Sequence, residues 1–202
     1  RPDLSPMKPN TALAFLLAGV SLYCTGDEAR NSRRLRIIAA LCAGVVAGLG
    51  LLTLIEYGAD VDLGIDQVLF PDLEPSFGTS HAGRMAPASA LFFSLIGVSL
   101  TLLHTGALPA ASQSTAVAAF LLSIFSLLTY IYQFHSLREM YLFASLALNT
   151  GATSVVLSTG LLAASESRGL LAIIDAEDVG GLIVRRMLPA AILLPALIGL
   201  LR

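Results

Sequence analysis

Charged residues are scarce in this sequence of 202 residues: they make up 13% of it, against ~25% in ordinary soluble domains. Hydrophobic residues make up 55%, tryptophan is absent, and the mean hydropathy is +0.79. So little polar surface excludes a soluble domain, and a net charge of −2 implies no nucleic-acid partner. We therefore predict an all-α, polytopic membrane protein, because the alternation typical of barrel strands is also lacking.

Cysteine and histidine are scarce too, with two and three copies. Cys24 and Cys42 both fall in apolar stretches, where small apolar residues are a simpler interpretation than a disulfide or a metal pair. No Cys/His spacing matches a zinc site, although His81 and His135 could share a metal or haem site on the outer face. The sequence also lacks a nucleophile–base set, a P-loop and HExxH. We therefore predict no catalytic residue and no metal site, and no cofactor is identified.

Windows without Asp, Glu, Lys or Arg locate the membrane spans. About 20 helical residues cross a bilayer core, so the uncharged run 85–137 must fold back once. The residues 106–113 supply that turn, with Gly106 and Pro109 among its breakers. The windows predict six transmembrane helices in a single domain, 1–202, at about 9–25, 36–57, 85–105, 114–134, 143–164 and 184–202.

The charges of the loops predict the orientation of these helices. Arginines concentrate in 26–36 and in 165–186, which we therefore place in the cytoplasm. The loop 58–84 holds five acidic residues and a single basic one, Arg84, and we place it outside.

An internal repeat is the strongest pattern in the sequence. The residues 7–13 (MKPNTAL) recur as 85–91 (MAPASAL), and 19–22 (GVSL) recur as 97–100 at the same offset of 78. A weaker third copy begins at 146–150 (LALNT). The pattern predicts a helical hairpin used two to three times in parallel orientation, at about 7–57, 85–134 and 143–202.

Polar residues stand at the predicted outer start of the first helix of each repeat. They are Asn10 and Thr11, then Ser89, then Asn149 and Thr150. Two interpretations stay open: these side chains cap helices at the interface, or they form a polar ring that lines a pocket in the outer leaflet.

Further candidate ligand-binding residues lie near the outer loop: Glu56, Tyr57, Asp62, Asp66 and His135. Glu56 is either an interfacial carboxylate in water or a functional intramembrane group. The carboxylates of 60–67 have a calcium-like spacing, but the 12-residue loop with its terminal bidentate Glu is lacking. We interpret residues 63–70 as a short amphipathic segment on the outer interface, where it could cap a pocket made by the helix ends.

Small residues inside the predicted spans indicate close helix packing. Gly44 and Gly48 form a GxxxG pattern, and Gly19, Gly97 and Gly160 lie in the middle of predicted helices. Close approach of neighbouring backbones explains these glycines better than any chemistry does.

Several motifs together resemble a known class of bacterial protein. They are MKPNTALAFLLAG at 7–19, DLGIDQ at 62–67 after Tyr57, and GRMAP at 83–87. The chain resembles the N-terminal multi-pass membrane sensor region of bacterial PAS-containing histidine kinases and diguanylate cyclases. The resemblance extends through 188–192 (LPAAI) and covers most of the chain.

The resemblance implies a transmembrane sensory module in the bacterial inner membrane. Such regions have about eight helices and precede a cytoplasmic output domain, so this chain would be a fragment that is not itself an enzyme. The implied partners are membrane lipids, the output domain in cis, and a second copy or a larger complex. Two alternatives stay open: a structural subunit of a membrane complex, and a transporter, although no charged mid-membrane residue supports ion-coupled transport.

Overall fold

A computed structural model describes residues 7–26, 32–67, 83–131 and 148–165. These residues form five α-helices and no strand, which confirms the all-α prediction. The helices are α1 (Pro9–Tyr23), α2 (Arg33–Ala59), α3 (Pro87–Thr105), α4 (Pro109–Ile131) and α5 (Leu148–Ala164). A 3₁₀ turn, Ile65–Gln67, lies between α2 and α3.

Three helices of the described chain are long and apolar enough to cross a membrane: α2, α3 and the Pro109–Leu128 part of α4. The helices α1 and α5 are apolar but shorter, with 15 and 17 residues. At 1.5 Å per residue α1 reaches about 22 Å, less than the ~30 Å of a bilayer core, and α5 begins at the first residue described after 131. The predicted sixth span, 184–202, lies outside the described residues.

The helix boundaries correct one predicted turn. The turn between α3 and α4 comprises 106–108, whereas 106–113 was predicted, and α4 begins at Pro109 rather than near 114. Gly106 ends α3 in the left-handed conformation (φ 67°), and a proline at the first helical position suits the start of α4. Ser112 and Gln113 are therefore buried helical residues.

The helix α3 lies at the centre of the described bundle and contacts all four other helices. The helices α1, α3 and α5 contact one another, whereas α2 packs on α1 and α3, and α4 packs on α3 and α5. Ser21 at the end of α1 bonds His104 at the end of α3, and Leu22 lies against Gly160 near the end of α5. The helices α1, α3 and α5 therefore run parallel, and α2 runs antiparallel to α1.

Only some of the predicted glycines mark close approaches. A methyl group added at Gly97 would meet the backbone of Ala47 in α2 at 2.3 Å, and Gly160 lies against the flexible side chain of Leu22. No described atom lies within 4 Å of the position that a Cβ would take at Gly19, Gly44 or Gly48. The prediction of close packing therefore holds for Gly97 and is wrong for these three glycines within the described residues.

The distribution of polarity across the bundle suits an apolar surrounding. Large apolar side chains such as Leu16, Leu41 and Val156 point outward, while buried positions include many serines and threonines. Five of these twelve buried hydroxyls donate to the carbonyl one turn back in their own helix, as Ser94 does to Ala90 and Ser154 does to Thr150. Polar groups paired inside and apolar ones outside are typical of helices that face lipid.

Candidate functional site

A cluster of charged side chains lies at one end of the bundle, where α2 ends and α3 begins. We call it the outer cluster, after the predicted location of the loop 58–84, and define it by Glu56, Asp62, Asp66 and Arg84. The end of α2 supplies Glu56, the loop 60–67 supplies the two aspartates, and the segment 83–86 before α3 supplies Arg84. Asp60 ends α2 in the left-handed conformation (φ 53°), which turns the loop back over the helix ends.

Arg84 is the centre of the outer cluster, and its side chain is 0% exposed. Its Nε donates a 2.7 Å hydrogen bond to Asp66 Oδ2, and its Nη2 lies 3.6 Å from Glu56 Oε1 and 3.9 Å from Asp62 Oδ1. The same Nη2 donates to the Val61 carbonyl at 3.2 Å. The guanidinium also lies 5.3 Å from the centre of the Tyr57 ring, within cation–π range.

The electrostatic environment keeps Arg84 charged. Burial by itself would lower the pKa of its guanidinium, but the hydrogen bond and charge of Asp66, with the charge of Glu56, outweigh that effect. The pKa of Arg84 therefore lies above its ordinary value, and its guanidinium stays protonated near neutrality.

Glu56 is buried, with 0% exposure, so its interpretation as a carboxylate in water is wrong. Its Oε1 accepts a hydrogen bond from the Leu63 backbone N–H at 2.9 Å. Its Oε2 is buried and has no hydrogen-bond partner among the described residues, and the same is true of Thr53 Oγ1. Thr53 lies three residues before Glu56, so both oxygens lie on the same face of α2.

Uncharged hydrogen bonds fix the loop and the segment before α3 around the cluster. Asn10 in the first turn of α1 donates from Nδ2 to the Ile65 carbonyl at 3.0 Å. Tyr57 donates from its hydroxyl to the Met85 carbonyl at 2.9 Å. The loop is thereby held by side chains from α1 and α2, and the start of α3 is held by α2.

The structure brings together half of the predicted site residues: Asn10, Glu56, Tyr57, Asp62 and Asp66. Thr11, Ser89 and Thr150 are buried in the first turns of α1, α3 and α5, whereas Asn149 is exposed. The N-cap positions of α1 and α3 belong to Lys8 and Ala86, so the capping interpretation is wrong for Asn10 and Ser89. His135 lies outside the described residues, as does His81.

Neither Arg84 nor Thr53 was predicted: Arg84 is the centre of the outer cluster, and Thr53 carries a buried hydroxyl without a hydrogen-bond partner among the described residues. A signal for Arg84 was present, because it is the only basic residue between 37 and 137 and lies beside an acidic loop. No comparable signal marks Thr53 among the other helical hydroxyls.

Carboxylate oxygens of the outer cluster are close enough to share one cation. Glu56, Asp62 and Asp66 each offer an oxygen, and these three atoms lie within 4.8 Å of one another. Asp62, whose side chain is 55% exposed, connects the buried pair with solvent. The described cluster holds the guanidinium of Arg84, and its carboxylate oxygens are also the kind of ligand that hard cations prefer.

A second polar contact lies at the opposite end of the bundle. Ser21 donates from Oγ to the Ala39 carbonyl at 3.0 Å, which uses its only hydroxyl hydrogen. The 2.9 Å contact between Ser21 Oγ and His104 Nε2 therefore has the histidine as its donor. This contact joins α1, α2 and α3 at the end away from the outer cluster.

No protein-family model, curated protein or solved structure matches this chain. The function proposed below depends on the sequence patterns and on the geometry of the outer cluster.

Proposed function

We propose that the chain is the transmembrane signal-input module of a bacterial signalling protein of the histidine kinase or diguanylate cyclase type. It senses a stimulus at the outer face of the inner membrane and passes it to a cytoplasmic output domain in cis. The observation that carries this proposal is the buried outer cluster, which joins the end of α2 to the start of α3.

The position of Arg84 explains how the cluster would act on the bundle. Arg84 lies three residues before Pro87, the first residue of α3, and α3 contacts every other described helix. A ligand that changes the partners of Arg84 would bias the packing of α3 against its neighbours. Such a ligand shifts the equilibrium only as far as its affinities for the two packings differ.

The buried positions of the helices support the predicted hairpin repeat. An offset of 78 relates the five buried residues of α1 to buried residues of α3, and an offset of 140 relates them to buried residues of α5. The buried residues of α1 are Asn10, Thr11, Ala14, Ala18 and Ser21. A threefold arrangement of parallel hairpins, 7–57, 85–134 and 143–202, would also place α1, α3 and α5 in mutual contact.

Equivalent serines support the same arrangement. Ser21 donates to the Ala39 carbonyl of the next helix, α2. Its counterpart Ser99, 78 residues later, donates to the Ser112 carbonyl of the next helix, α4, at 2.7 Å. Each hydroxyl thus links the two helices of one proposed hairpin at the same end.

The orientation follows from the charges at the two ends of α2. The end that carries Asp60 and the outer cluster would face outward, and the end that begins at Arg33 would face the cytoplasm. The full proposal has six spans, the loop 58–84 outside, and the loops 26–36 and 165–186 inside. Lipids and a second copy of the chain are its further proposed partners.

The experiment compares Glu56→Gln with Asp60→Asn in the protein expressed from its native gene. Output is measured as autophosphorylation or cyclic di-GMP synthesis, and membrane level is measured by immunoblot. Glu56→Gln removes a buried charge from the outer cluster and should change output at an unchanged membrane level. Asp60 is exposed, outside the cluster, and its left-handed conformation is tolerated by Asn, so Asp60→Asn should leave output unchanged.

The sensory role of the cluster would be refuted if both variants gave the same output as the unsubstituted protein. A change of equal size in both variants would also refute it, because a general charge effect of the loop would then explain the result.

A further inference from the structure

We propose that the outer cluster binds Ca²⁺, and that the ion and the guanidinium of Arg84 compete for the same three carboxylates. The idea that Ca²⁺ is the stimulus of a sensory module rests on the proposed function. Binding of Ca²⁺ to the cluster does not require that function. The sequence predicted no metal site, because the spacing of the acidic residues alone matches no complete calcium loop.

The upper limit on the distances between the oxygens fits the reach of two Ca²⁺–oxygen bonds. Oxygens of Glu56, Asp62 and Asp66 lie within 4.8 Å of one another. Two opposite Ca–O bonds of about 2.4 Å span about 4.8 Å, whereas two Mg–O bonds of about 2.1 Å span only about 4.2 Å. Mg²⁺ also demands near-ideal octahedral geometry and gives up its waters reluctantly.

Unpaired buried oxygens on α2 are a second observation, and one of them, Thr53 Oγ1, belongs to no carboxylate of the cluster. Glu56 Oε2 and Thr53 Oγ1 have no hydrogen-bond partner among the described residues, although the two side chains are only 0% and 1% exposed. Leaving a buried polar oxygen unpaired costs about 1–3 kcal/mol. Thr53 lies on the face of α2 that packs on α3, because Gly50, three residues before it, abuts Ser94 of α3.

Further ligands are within reach of the same place. The Val61 carbonyl accepts a hydrogen bond from Arg84 Nη2 at 3.2 Å, so it already points at the position of a positive charge. Asp62 is 55% exposed, which gives an ion a path from solvent and leaves room for bound waters. These groups would bring an ion toward the six to eight oxygens that Ca²⁺ takes.

Competition with Arg84 makes this site responsive rather than structural. The guanidinium now lies 2.7 Å from Asp66 Oδ2 and 3.6 Å from Glu56 Oε1. Two cations cannot share these oxygens without strong repulsion, so Ca²⁺ would displace Arg84 from at least one of them. The displacement would reach α3 directly, because Arg84 precedes its first residue by three positions.

The test measures the thermal unfolding midpoint of the purified full chain in detergent, with CaCl2, MgCl2 or NaCl at matched ionic strength. Extracellular calcium modules bind with Kd values of about 10⁻⁴–10⁻³ M. A Ca²⁺ concentration ten times a Kd of that order should raise the midpoint by about 3–6 °C, with a smaller rise for Mg²⁺.

The variants separate binding from structure. Glu56→Gln and Asp62→Asn should each weaken the apparent Ca²⁺ affinity at least about tenfold, while Asp60→Asn should leave it unchanged. Asp62→Asn keeps an oxygen for the Gly64 N–H, so it remains informative if Glu56→Gln fails to fold. Arg84→Gln should lower the midpoint without ion but bind Ca²⁺ more tightly, a gain that a merely structural Arg84 would not produce.

The inference is overturned if Ca²⁺ and Mg²⁺ have equal effects, if neither raises the midpoint, or if Asp62→Asn responds like the unsubstituted chain. Its failure is separable from that of the proposed function. Calcium binding with unchanged signalling output would refute the sensory role alone. If Glu56→Gln alters output but Ca²⁺ does not raise the unfolding midpoint of the unsubstituted chain, calcium binding is refuted and the sensory role is not.

Discussion

The approach of α3 to α2 predicts a large effect for one of the smallest substitutions, Gly97→Ala. The added methyl group would lie 2.3 Å from Ala47 N and 2.6 Å from Ala47 Cα. These are backbone atoms of α2, so no side-chain rotation can make room. The two helices would have to move apart along an interface that also includes Gly50, where an added Cβ would lie 2.5 Å from Ser94 N.

The magnitude follows from two opposing terms. Overpacking a well-packed core typically costs about 1–3 kcal/mol, while alanine in place of glycine within a helix recovers about 1 kcal/mol. Because the clash is with backbone, we expect a cost at the top of the range and a net loss of about 2 kcal/mol. For a chain of this size that lowers the unfolding midpoint by about 4–8 °C.

The assay is thermal unfolding of the purified chain in detergent, followed by circular dichroism. Gly44→Ala is the matched control, because Gly44 lies in the middle of α2 and no described atom is within 4 Å of its added methyl group. The control should be neutral or stabilising by up to about 1 kcal/mol. A Gly97→Ala chain as stable as Gly44→Ala would refute the close approach of α2 and α3.

Two further substitutions test other contacts by the same unfolding assay. Ser99→Ala removes the 2.7 Å hydrogen bond to the Ser112 carbonyl and should cost about 1 kcal/mol; Thr159→Ala, which removes an exposed hydroxyl bonded within its own helix, should cost less than about 0.5 kcal/mol. Arg84→Met leaves the carboxylate of Asp66 buried without its guanidinium and should cost about 3–5 kcal/mol; a loss no larger than that of Thr159→Ala would refute the ion pair.

The helices themselves were predictable because burial in lipid leaves a coarse signal. Runs without charge gave five helices whose ends lie mostly within three residues of those observed. The exception is the start of α4, whereas the predicted start of α5 at 143 lies outside the described residues. For α4, Gly106 and Pro109 mark a tight turn, but uncharged serines beside them resemble loop residues although they are helical and buried.

Glycine spacing predicted helix contacts less well, because spacing does not say which face a neighbour occupies. Gly44 and Gly48 share one face of α2, yet no described helix approaches their Cβ positions within 4 Å. Gly50 of α2 and Gly97 of α3 make the close contacts instead, and neither belongs to a GxxxG pattern. Which face of α2 contacts a neighbour is determined by its packing on α3, and glycine spacing within α2 carries no information about that packing.

The outer cluster was predictable in part. Acidic residues next to a predicted helix end identified Glu56, Asp62 and Asp66, because a loop and the helix it follows are neighbours in space. The burial of Glu56 was not predictable, since it depends on Arg84, 28 residues later in the chain, returning to the same end of the bundle. Sequence similarity also failed to predict burial at Asn149. The Asn-Thr pair at 149–150 resembles the pair at 10–11, but the side chain of Asn149 is exposed and that of Asn10 is buried.

The sidedness of the outer cluster tests the central claim most directly. In a chain with alanine at positions 24 and 42, Ala59→Cys places a thiol beside the cluster, and Ala107→Cys places one in the turn between α3 and α4. Both positions are exposed. In intact spheroplasts, a membrane-impermeant maleimide should label Ala59→Cys but should reach Ala107→Cys only after the membrane is permeabilised. Labelling of Ala107→Cys alone, or of both thiols before permeabilisation, would contradict the account.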